Sequence, residues 1–79
     1  MSEQQIQTKR IKQLESEGYY VIKLVKTNKN GIPDLIALHK QKGVLFVDVK
    51  TPKGQVSKLQ QYRLDELKQH GFTTEIYRG

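Results

Sequence analysis

Three ionisable residues interrupt otherwise apolar sequence. Asp34 follows Ile32-Pro33, and Asp48 and Lys50 lie in the run Val44-Leu45-Phe46-Val47-Asp48-Val49-Lys50. A segment apolar on both parities reads as a strand buried on both faces, inside a sheet, so charges within it need a reason. A turn centred near Gln41 pairs this segment antiparallel with the one starting at Asp34 and sets Asp34 opposite Asp48. Directly opposed residues project from one face with Cβ atoms about 5 Å apart, and Lys50, two residues further on, shares that face. A slip of one residue in the turn would separate them. Two carboxylates so close repel when both ionise, and a divalent cation removes that conflict. Hard carboxylate oxygens suit Mg²⁺ or Mn²⁺, with water completing the octahedron. The chain has no cysteine, and its two histidines, His39 and His70, match no zinc-ligand spacing.

The elements that must hold these residues follow from local pattern. Ser2 to Glu17 reads as a helix opened by a capping box at Ser2 and Gln5 and stopped at Gly18. Tyr19 to Lys26, rich in β-branched and aromatic residues, reads as a strand. Thr27 to Ile32 is a loop, and Asp34–His39 and Val44–Lys50 form a hairpin across Lys40-Gln41-Lys42-Gly43. After a turn at Thr51–Gly54, Val56 to His70 reads as a second helix, with a capping box at Ser57 and Gln60 and a stop at Gly71. Thr73 to Tyr77 is a last short strand. The expected order is αβββαβ, an α+β domain with helices flanking a mixed or antiparallel sheet. At about 100° per residue, Ile6, Leu14 and Ile11 make the apolar stripe of the first helix, and Leu59, Leu67 and Leu64 that of the second.

Size and charge bound the function. The 79 residues hold a single domain, 1–79, with a modest core and no disulfide to support it, which favours pairing with a second copy. No apolar run is long enough for a membrane span, and Met-Ser-Glu-Gln-Gln is not a signal peptide. We expect a soluble intracellular protein. A net charge of +6 and a pI near 9.7 suit a polyanionic partner such as nucleic acid.

Ile32-Pro33-Asp34 followed by Asp48-Val49-Lys50 resembles the PD-(D/E)xK nuclease signature on its αβββαβ, restriction-endonuclease-like core. The wider run, Asn30-Gly31-Ile32-Pro33-Asp34-Leu35, then Phe46 to Pro52 and Ser57-Lys58-Leu59-Gln60, is similar to the stand-alone virus-type replication-repair nuclease (VRR-NUC) domain, over nearly the whole chain. The resemblance implies a phosphodiesterase in which Asp34, Asp48 and the backbone carbonyl of Val49 hold Mg²⁺ or Mn²⁺. Lys50 would position or help activate the attacking water. It further implies a homodimer acting on branched DNA such as a four-way junction, in the cytoplasm of a bacterial or phage-infected cell. No small-molecule cofactor is expected.

The helices carry polar residues on their apolar sides. Gln60 is either the capping partner of Ser57 or, as in related nucleases, a site residue touching the metal-bound water or a phosphate; the second role is favoured and the two are compatible. Family members often place a metal-binding Glu on the first helix. Here Gln7 occupies the best-matching position, with Glu3 one turn earlier as a substitute. Lys26, Asn28, Lys29, Asn30, Lys53, Ser57 and Lys58 are candidate nucleic-acid contacts, whereas Lys9, Arg10, Lys12, Lys68 and Arg78 read as solvated. Tyr19, Tyr20 and Tyr62 can stack on bases, but packing suits each better. Two other functions stay open. One is a nuclease that nicks, cuts duplex DNA or trims ends; the other is a basic binding module without catalysis.

Overall fold

A computed structural model describes residues 1–79. Its elements are α1 (Glu3–Ser16), β1 (Tyr20–Lys23), β2 (Leu35–His39), β3 (Gly43–Lys50), α2 (Lys58–Gln69) and β4 (Thr73–Arg78), which is the αβββαβ order. Both helices begin as their sequences dictate. Ser2 and Ser57 accept from the amides of Gln5 and Gln60, whose side chains return the bond to the cap amide. Gly18 and Gly71 then take left-handed conformations just past the helix ends.

The sheet is mixed, in the order β1-β2-β3-β4, with β3 interior. β1, β2 and β3 are antiparallel neighbours, and β4 returns parallel to β3 after α2. The pairs Leu35↔Val47 and His39↔Gly43 carry the expected hairpin register, which continues to Asp34 opposite Asp48. β1 is shorter than the Tyr19–Lys26 expected of it. Its last ladder contact is Leu24 N–H to the Asp34 carbonyl at 2.8 Å, because the partner strand runs out at Pro33.

Parity sorts the side chains. Leu35, Ala37, Val47 and Val49 face α1 and form the core with Ile6 and Leu14, with Ile11, Tyr19, Val21, Leu45 and Tyr77 packed around it. The opposite face carries Asp48 and Lys50. There Phe46 meets Phe72, just beyond α2, edge to face at 5.9 Å, and α2 packs mainly against β4. That leaves the β1 side of this face less covered. Tyr20 is 71% exposed and Ile22 42%. The expectation that all three tyrosines pack therefore holds for Tyr19, which meets His39 edge-on, and fails for Tyr20 and for Tyr62, which is also exposed. Arg10 is not simply solvated either. It grips Glu75 through Nε and Nη2 at 3.0 and 2.8 Å and lies over the Tyr77 ring, tying α1 to β4. No helix is long and apolar enough to cross a membrane.

Candidate active site

Asp48 and Lys50 are the two charged residues buried in the protein, and they occupy the C-terminal half of its central strand. Asp48 is 1% exposed, and neither carboxylate oxygen accepts a hydrogen bond. The Lys50 ammonium stands 3.2 Å from Asp48 Oδ2, an ion pair without hydrogen-bond geometry. Burial is the main force on the Asp48 carboxyl and raises its pKa above 3.8. Lys50 opposes the rise, and the neighbouring Asp34 carboxylate adds to it. A buried carboxylate with unfilled lone pairs is costly unless something positive meets it.

Asp34 sits where β2 begins, and its Oδ2 accepts the Val49 N–H at 2.8 Å. That bond replaces a missing rung of the ladder. Continuing the Leu35↔Val47 register sets Pro33 opposite Val49. Within a strand a residue's N–H and C=O point to the same side, so the Val49 carbonyl also faces β2. Pro33 has no N–H to give it. The Pro-Asp pair thus does two jobs: Asp34 satisfies the Val49 amide, and Pro33 leaves the Val49 carbonyl without a ladder donor.

These groups fit a hard divalent cation. The donor set is all oxygen: the Asp48 carboxylate, which accepts no hydrogen bond, the remaining capacity of Asp34, and the freed Val49 carbonyl. No third Asp, Glu, His or Cys joins them. Glu3 is an exposed first-turn residue and does not complete a cluster. Gln7 is half-buried, next to Ile6. Ile6 lies against Gly79, whose N–H donates to the Lys50 carbonyl, so this end of α1 stands at the site's end of the sheet.

The other candidates lie around this centre. Gln60 spends Oε1 on the Ser57 amide at 3.0 Å, which is the capping role, and keeps its Nε2 free. Ser57, Lys53 and Lys58 are exposed at the start of α2 and in the loop before it. Lys26, Asn28, Lys29 and Asn30 are exposed in the loop leading to Asp34. That loop encloses an open cavity of about 290 Å³ lined by Lys26, Thr27, Lys29 and Asn30 among others. Two features hold it against α2. Arg63 Nε donates to the Asn30 carbonyl at 2.8 Å, and Gly31, at φ +80°, lets the backbone lie on Leu59, where a Cβ would come within 2.7 Å. Arg63 is not among the residues singled out from sequence; it breaks no apolar pattern, so only the folded contact reveals it.

The family model of the VRR-NUC domain matches residues 1–79, the whole chain. Comparison with curated proteins finds no match.

Proposed function

The chain belongs to the VRR-NUC domain family, nucleases of the PD-(D/E)xK type, and from that premise we propose that it is a Mg²⁺- or Mn²⁺-dependent DNA endonuclease acting on branched DNA such as four-way junctions. The observation that carries the metal dependence is the buried Asp48 carboxylate, whose two oxygens accept no hydrogen bond and whose one charge partner is Lys50. Asp34, Asp48 and the Val49 carbonyl would hold the ion, which when bound lowers the pKa of a coordinated water and offsets charge on the attacked phosphate. Gln7 would add at most a neutral oxygen. Lys50, its Nζ held beside Asp48, would orient the nucleophile and balance negative charge building on the phosphate oxygens. Gln60 Nε2 is free to donate to the same phosphate.

The loop from Lys26 to Asn30 supplies backbone contacts. It is basic, exposed and pinned to α2 by Arg63, so a phosphate held there is registered against the centre it leads into. Lys53, Ser57 and Lys58 extend this surface. A surface of phosphate-binding side chains favours recognition of DNA shape over sequence. Pairing of two chains through the exposed Tyr20 and Ile22 side of the sheet would present two centres to a junction of near-two-fold symmetry. We place the enzyme in the cytoplasm.

The test is cleavage of end-labelled four-way junction, duplex and single-stranded DNA in Mg²⁺, Mn²⁺ or EDTA. Junction cutting that needs the metal supports the proposal. Preferential cutting of linear duplex moves the substrate to the restriction-like alternative, and salt-sensitive binding without cutting in any metal leaves only a binding module.

A further inference from the structure

Arg78 stands one strand away from Lys50. The parallel register of β3 and β4 pairs the two residues, and paired residues on neighbouring strands project from the same face. Arg78 therefore shares the face of Asp48 and Lys50. The two cations differ in what they have left to offer. Lys50 is buried beside Asp48, at the centre where the proposed reaction uses it. Arg78 is exposed and forms no ion pair with any carboxylate. Its Nη1 donates to the carbonyl of Gly54 and, at 3.5 Å, to that of Thr51, both in the loop that follows β3. Nε and Nη2 make no bond within the protein.

A guanidinium is a rigid planar fork with five donors. Anchoring Nη1 fixes the plane and leaves the Nε/Nη2 edge presented. This is the edge with which Arg10 grips both oxygens of Glu75 in the same protein, and its spacing matches two oxygens of a phosphate equally well. We propose that Arg78 is a DNA-phosphate clamp. Its Nη1 is held by the Thr51–Gly54 loop, and its Nε/Nη2 edge takes a backbone phosphate adjacent to the one at Asp34 and Asp48. The assignment rests on the nuclease reading, because only a nucleic acid bound across this face brings a second phosphate to Arg78.

The test is binding of one fixed junction in EDTA across a salt series, for the wild type, Arg78→Gln and Arg78→Lys, with the melting temperature of each. Loss of one phosphate contact reduces the steepness of log K against log salt by about 0.9, so the affinity gap between wild type and Arg78→Gln narrows about 3.5-fold between roughly 50 and 200 mM salt. Arg78→Lys keeps the charge and the slope but loses the fork, and binds several-fold more weakly than wild type. A residue that only anchors the loop would lower the melting temperature and leave the slope unchanged, which overturns the proposal. So does Arg78→Lys binding as tightly as wild type, a comparison that stands even where Arg78→Gln fails to fold. Wild type that cuts DNA while Arg78→Gln keeps its slope removes the clamp alone, whereas wild type that binds no DNA removes the clamp and the nuclease reading together.

Discussion

Burial and charge conflict most sharply at Asp48. Its folded-state pKa is raised, chiefly by burial. Such a group contributes stability that is fully present below the unfolded value of 3.8 and is lost as pH rises through the folded value. Asp48→Asn keeps the shape and mimics the protonated carboxyl. In metal-free protein its melting temperature relative to wild type is expected to be most favourable near neutral pH and to lose that advantage as pH falls toward 3.8; a pH-independent difference would contradict this account. A divalent ion should act the other way, stabilising wild type and not Asp48→Asn. At about 100 times Kd the gain is about 2.7 kcal/mol, roughly 10–20 °C in melting temperature for a domain of this size. Pro33→Ala supplies the amide that the Val49 carbonyl lacks. It is expected to weaken Mn²⁺ binding on the order of tenfold by calorimetry, whereas unchanged affinity would show that the carbonyl is not a ligand. Asp34, Asp48 and Lys50 were legible in the sequence because each breaks an apolar pattern and one hairpin register relates them. Pro33's role as a missing donor was not, since it depends on which side of β3 the Val49 amide faces.

At the level of elements, the loop before Asp34 is held against α2 by Arg63 and by the close approach of Gly31 to Leu59. Gly31→Ala forces a side chain into a left-handed position with Leu59 2.7 Å from its Cβ. The expected cost is about 2 kcal/mol, read as a lower urea midpoint at unchanged m. An Ala tolerated without loss would mean that the loop does not rest on α2 as described. The caps, the hairpin and the interior position of β3 were all readable, because each depends on residues close in sequence. The end of β1 differs from expectation for the opposite reason: Val25 continues a β-branched run, but the partner strand has already ended at Pro33. Arg63 and Arg78 likewise acquire meaning only once α2 lies beside the loop and β4 beside β3.

Across the whole molecule, 10 of 79 residues are buried, which is a small core, and the β1 side of the sheet exposes Tyr20 and Ile22. The proposed homodimer would cover them. Ile22→Glu is expected to shift the protein from dimer to monomer in sedimentation equilibrium while retaining its circular dichroism spectrum. A wild-type chain that is monomeric at all concentrations yet cuts junctions symmetrically would contradict pairing. The net charge pointed to a polyanionic partner from composition alone. The Lys26–Asn30 loop was named from sequence as a candidate contact, whereas Arg78 joins the proposed face only through the pairing of β4 with β3.

The most direct test of the central claim compares cleavage of a labelled four-way junction by wild type and by Lys50→Met, in Mg²⁺ and in EDTA. Methionine preserves the buried stem and removes the ammonium. The account predicts metal-dependent cutting by wild type, reduced about 100-fold or more in a folded Lys50→Met variant. Equal cutting by the two proteins, or cutting that persists in EDTA, would place the chemistry somewhere other than Asp34, Asp48 and Lys50.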